Sequence, residues 1–94
     1  MSGVAAFFMY FIYILYSSTF DRYYVGSCEV LQSRLNRHNN KMVTSTKSYV
    51  PWVMVYTEQF NSRSEAVKRE NEIKKKKSRK YIEWLINNKK ADNV

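Results

Sequence analysis

Five polar side chains stand where chemistry could be done: Tyr13, Tyr24, Arg34, His38 and Glu70. Tyr13 and Tyr24 sit in apolar, aromatic runs, and a tyrosine can pack along its ring while presenting a hydroxyl at its tip. Arg34 and His38 are four residues apart, so on a helix they share one side. Glu70 falls on an apolar stripe, four residues after Ala66 and three before Ile73. A carboxylate turned inward is either paired with a nearby Lys or Arg or bound to a metal ion. Taken singly, each residue has an ordinary structural use. Strand tyrosines pack, a helical arginine is solvated, and a histidine near a helix end caps it.

Other chemistries are excluded. The chain has two glycines, and no glycine-rich phosphate loop of the P-loop or Rossmann kind exists. One His and one Cys cannot build a structural zinc site. No nucleophile–base–acid triad is visible. Nothing orients Cys28 toward His38, and Cys28 reads as a small packing residue. A single cysteine permits no intrachain disulfide, which implies a reduced, cytoplasmic setting.

The elements that must position these residues can be read from pattern. Tyr10 to Tyr16 is a strand by its β-branched and aromatic content. Ser17 to Asp21 is a turn, and Arg22 to Gly26 a second strand, so the pair forms a hairpin. With the turn centred near Ser18 and Thr19, Tyr13 lies opposite or diagonal to Tyr24, on one face. Val30 to Asn39 is a helix buried through Leu31 and Leu35. Lys41 to Tyr49 is a polar segment expected to be a mobile loop. Pro51 precedes a third strand, Trp52 to Tyr56. Ser62 to Lys76 is a helix, with Ser62 or Ser64 as its N-cap. A last helix runs from Ser78 to Ile86. The order strand, strand, helix, strand, helix, helix predicts an α+β fold: a small three-stranded, mainly antiparallel sheet flanked by helices. Residues 9–86 form one domain, residues 1–8 are expected to be an extension without fixed structure, and residues 87–94 to fray.

At 94 residues the chain holds one domain with a limited core. Its formal charge is +8, and nine Lys/Arg against three Glu crowd Arg63 to Lys80. Such a balance points to a polyanionic partner. Val4 to Tyr16 is apolar, yet too short to cross a bilayer, which takes about 20 residues. It also lacks the basic start and cleavage site of a signal sequence.

Phe11-Ile12-Tyr13, followed eleven residues later by Tyr24-Val25-Gly26, resembles the paired motif that names the GIY-YIG nucleases. The likeness continues through Arg34-Leu35-Asn36-Arg37-His38 and then Ser64-Glu65-Ala66, Arg69-Glu70 and Ile73-Lys74-Lys75. Each motif alone is unspecific; four in order at matching spacing are specific. They span roughly Tyr10 to Ile86 and resemble the short standalone bacterial members and the incision domain of the excision-repair nuclease. Phe11 stands where the family name has its first glycine. Ser27 stands where some relatives carry a lysine, and Lys47 is the candidate to stand in for it.

The resemblance implies a metal-dependent endonuclease that hydrolyses phosphodiester bonds in DNA, with RNA left open, acting away from membranes. Glu70 would hold one Mg²⁺ or Mn²⁺, hard cations that take oxygen ligands. Arg34 would grip the scissile phosphate with its fork. Tyr24 or Tyr13 would be the general base on the attacking water, and His38 would contact phosphate or relay a proton. Arg34, Arg37, Lys47, Lys74 and Lys75 are the expected nucleic-acid contacts. The run Lys74 to Lys77, with Arg79 and Lys80, would add a salt-sensitive backbone attraction. Relatives serve repair, restriction and homing, with specificity from extra domains, so a homodimer or a partner protein is implied. The alternative is a nucleic-acid-binding module that keeps the fold with little or no turnover, a reading that Ser27 motivates.

Overall fold

Alternation along the first hairpin decides which residues meet on which side of the sheet. The computed structural model of the chain describes residues 9–92; the expected N-terminal extension, residues 1–8, lies outside them. Strand β1, Tyr10–Ser17, pairs antiparallel with β2, Arg22–Cys28, and with β3, Val53–Phe60, giving the sheet order β2-β1-β3. In β1 the even-numbered Ile12 and Ile14 point one way, and the odd-numbered Tyr13 and Leu15 the other.

Each sheet face is covered by different elements. Ile12, Ile14 and Val25 pack against Ala66 and Ile73 of helix α2, Arg63–Lys76, and against Leu85 of helix α3, Arg79–Asp92. On the opposite face Tyr13, Leu15 and Trp52 pack against Leu31 and Leu35 of helix α1, Leu31–Asn39. The expected α+β order, β-β-α-β-α-α, is the observed one, with one short 3₁₀ turn added at Lys47–Tyr49. Tyr13 pairs with Gly26, which puts Tyr24 on the diagonal and on the same face. The register slips by one residue between β1 and β3 at Ile14/Leu15, which kinks that pairing.

Three details depart from expectation. The segment from Lys41 to Tyr49, expected to be a mobile loop, is tied down. The Trp52 N–H donates to Asn39 Oδ1 at 2.6 Å, and the Trp52 indole N–H donates to the Thr46 carbonyl at 3.1 Å. Strand β3 runs four residues past Tyr56, to Phe60. Helix α3 continues to Asp92, past the expected stop at Ile86. No Gly or Pro interrupts residues 87–92, and the Lys89 ammonium holds the helix back onto the Thr57 carbonyl. At the start of α2, Ser62 is the N-cap, its hydroxyl accepting from the Glu65 N–H at 3.2 Å. Among the described residues no helix is long and apolar enough to cross a membrane.

Candidate active site

The site begins at a missing side chain. A Cβ on Gly26 would lie 2.4 Å from the Tyr13 hydroxyl oxygen, so the Tyr13 ring tip rests directly on the Gly26 backbone. Only glycine allows that approach, and it turns the hydroxyl toward α1. There the hydroxyl meets Nε2 of His38 at 2.9 Å. The other ring nitrogen, Nδ1, lies 2.8 Å from Thr46 Oγ1. The Thr46 hydroxyl donates to the Val43 carbonyl at 3.4 Å, so its oxygen accepts from His38 Nδ1–H. His38 Nε2 is then the acceptor and Tyr13 the donor.

Burial explains the protonation states of this chain of bonds. Tyr13, His38 and Thr46 are each 1% exposed. Burial first, and then the neighbouring Arg34 and Arg37 charges, hold the His38 pKa below its usual value, so the imidazole is neutral near pH 7. Burial, and next the nearby Tyr24, push the Tyr13 phenol well above its ordinary value, while Arg34 acts the other way. Cys28 is raised by burial too, despite Arg34, which removes it as a thiolate nucleophile.

The open part of the site lies beside β2, the edge strand. A cleft of about 340 Å³ runs between α1 and α2, lined by Ser27, Glu29, Arg34, Arg37, Arg63 and Ala66. Arg34 is half-buried there and has no carboxylate partner among the described residues. Across the strand edge, the Ser27 hydroxyl donates to Glu70 Oε1 at 2.6 Å, and Lys74 Nζ donates to Glu70 Oε2 at 2.5 Å. The Lys74 ammonium also sits 5.9 Å from the Tyr24 ring centre. The half-exposed Tyr24 ring lies 6.4 Å from that of Tyr13 and 5.0 Å from that of His38. The Arg34 charge lowers the Tyr13 phenol and the Glu70 charge raises it, both being smaller effects than burial.

The structure therefore brings together Tyr13, Tyr24, Arg34, His38 and Glu70, with Arg37 and Lys74 at the margins. It does not bring in the remaining two. Lys47 sits exposed in the 3₁₀ turn, and Lys75 faces an outer groove beside Glu72 and Tyr81. The cation near Tyr24 is Lys74, one α2 turn beyond Glu70, and not Lys47. His38 is sealed off at both ring nitrogens, so it has no free edge to offer a phosphate. The carboxylate of Glu70 is 16% exposed and already paired with Lys74, one of the two roles open to it. Ser27 and Thr46 are the residues that sequence reasoning missed as contacts. Thr46 had no signal, because its partner lies eight residues back in another element.

A divalent ion can be tested against these groups. Among the described residues no three His, Cys, Asp or Glu side chains gather, which excludes a closed protein cage. A single carboxylate next to a basic cleft suits Mg²⁺ or Mn²⁺, which keep several waters and take substrate phosphate oxygens as ligands.

The chain has relatives among known proteins. Residues 9–87 match the GIY-YIG catalytic domain. A UPF0213 protein of Staphylococcus haemolyticus is 44% identical over 52 residues, which cover 54% of this chain and 63% of that protein. One of Staphylococcus saprophyticus is 42% identical over the same lengths. The chain thus spans 63% of the length of these curated relatives. The solution NMR structure of a UPF0213 protein from Bacillus halodurans superposes with a TM-score of 0.52 at 29% identity, covering 84% of this chain and 83% of that one. The chain belongs to the GIY-YIG nuclease family.

Proposed function

We propose that the protein is a metal-dependent endonuclease acting on the DNA backbone in the cytoplasm, with the cleft between α1 and α2 as its active site. The family acts on nucleic acid and generally uses a divalent metal. The observation that carries the reading is Arg34, without a carboxylate partner among the described residues, lining one cleft with Ser27, whose hydroxyl in turn holds Glu70.

Each group has a task that its surroundings suit. Arg34 clamps the scissile phosphate, since a planar fork without a carboxylate partner is free to take two phosphate oxygens. Tyr24 meets the attacking water, because it is half-exposed while Tyr13 is sealed and bonded to His38. Lys74 places a cation beside Tyr24, where negative charge on the phenol oxygen would be offset. Tyr13 and His38 pack against the Tyr24 ring and fix a proton between them. Glu70 would hold the Mg²⁺ or Mn²⁺ ion, with Lys74 released from it. The bound ion would stabilise charge on the phosphate and assist departure of the leaving oxygen.

A second reading is a binding module with the nuclease fold and little turnover. The engagement of Glu70 by both Ser27 and Lys74 favours it. One assay separates the two. Purified protein is incubated with supercoiled plasmid, single-stranded DNA and branched DNA in Mg²⁺, Mn²⁺ or chelator, beside Glu70→Ala and Arg34→Ala. The endonuclease reading expects metal-dependent nicking that both variants lose. Binding without nicking, unchanged by Glu70→Ala, would establish the module.

A further inference from the structure

Between α2 and α3, around the helix from Glu70, lies an aromatic surface that the proposed chemistry does not use. Arg69 marks that side. Its guanidinium forks onto Glu58 of β3 at 2.9 and 3.0 Å and reaches the Tyr81 hydroxyl at 3.3 Å. The Tyr81 ring stacks on Trp84, with centres 5.9 Å apart and planes 16° apart. Trp84 is 57% exposed, an unusual state for the largest aromatic side chain. With the Tyr81 ring it forms an aromatic pair at the surface and not a lone exposed residue.

The surrounding charge says what the surface contacts. Lys76 Nζ sits 5.2 Å from the Tyr81 ring centre. Lys75 and Lys76 line a groove with Tyr81. Lys80, exposed and four residues before Trp84, shares its helix face. The one acidic group in the groove, Glu72, is drawn toward Arg69. An exposed indole stacked on a tyrosine that adjoins exposed lysines matches a chain that alternates flat rings with phosphates.

We propose that Trp84, stacked on Tyr81, with Lys75 and Lys76 beside that tyrosine and Lys80 on its own helix face, is a platform for unpaired bases of a nucleic-acid strand. A base stacks on the open indole face while the lysines take the flanking phosphates. Duplex bases are already stacked on one another, so the platform selects a single-stranded arm. The inference extends the nucleic-acid reading of the site and names the class of substrate as one with a single-stranded arm.

The two tryptophans make the test direct, because Trp52 is 4% exposed and only Trp84 is open to a ligand. The full chain is titrated in chelator with an oligothymidylate of about 12 nucleotides and with a duplex of equal length, while tryptophan fluorescence is followed. The single strand quenches the emission and the duplex leaves it nearly unchanged. Read by the anisotropy of a labelled oligothymidylate, Trp84→Ala weakens binding about tenfold, whereas Trp84→Phe keeps most of the affinity. The double variant Lys75→Ala/Lys76→Ala flattens the dependence of affinity on salt. Equal affinity for wild type and Trp84→Ala, with circular dichroism unchanged, overturns the proposal. So does sedimentation showing that Trp84→Ala only splits a dimer of this chain. Nicking of duplex plasmid is scored separately, so failure of the platform and failure of the nuclease reading are distinguishable.

Discussion

The Tyr13 hydroxyl lies 2.9 Å from Nε2 of His38, with both side chains closed to solvent. With Tyr13 as the donor the imidazole is neutral, and burial keeps it so. Because the folded His38 pKa lies below the ordinary value of 6.5, the unfolded chain binds more protons between those two values. Stability therefore rises with pH across that window. It is fully present above about 6.5 and is lost as pH falls through the folded value. Urea midpoints measured across that range are expected to fall on acidification, and His38→Gln is expected to flatten the slope. An identical slope in His38→Gln would show that the acid sensitivity lies elsewhere.

Gly26→Ala should damage fold and site together. The added carbon would meet the Tyr13 oxygen at 2.4 Å, so the ring must leave His38 or the strands must part. Overpacking of this kind costs about 1–3 kcal/mol. The denaturation midpoint should drop accordingly, and nicking should fall with it.

Arg34→Ala should reduce nicking by about 10²–10³-fold, the usual loss when one preorganised charge-stabilising donor is removed. Arg34→Lys should recover little, since an ammonium cannot fork onto two phosphate oxygens. Stability should barely change, because Arg34 makes no ion pair among the described residues. Single-turnover kinetics beside thermal melts would separate the two effects.

Lys77→Gly should stabilise the protein. Lys77 ends α2 in the left-handed region, at φ 48° and ψ 41°. A side chain there costs about 1 kcal/mol, which glycine avoids. A raised melting temperature with unchanged nicking is expected, and a lowered one would mean that the lysine side chain matters more than its backbone.

Ser17→Ala should be neutral or stabilising. Its hydroxyl is fully buried and has no hydrogen-bond partner. Removing an unsatisfied buried group relieves a desolvation cost of about 1–3 kcal/mol. Equilibrium unfolding of this variant measures that directly.

Much of the site was legible because it depends on short-range pattern. Tyr13 and Tyr24 share a face because strand side chains alternate and the turn sets the register. Arg34 and His38 share a side because helical neighbours recur every three or four residues. The partners of those residues were not legible. Thr46 reaches His38 only because the segment after α1 folds back and is fastened by Trp52. Lys74 rather than Lys47 stands beside Tyr24 because α2 lies against the β2 edge, a fact of packing between segments fifty residues apart.

The sequence by itself determined the order of elements, the apolar faces, the net positive charge and the set of residues able to do chemistry. All of these follow from local propensity, periodicity and residue type. Tertiary structure alone decided that His38 is sealed, that Glu70 is already held by Ser27 and Lys74, that Arg34 has no carboxylate partner among the described residues, and that Lys75 faces away. Burial and charge pairing are properties of neighbours in space, and the neighbours here come from strands, helices and loops far apart in the chain.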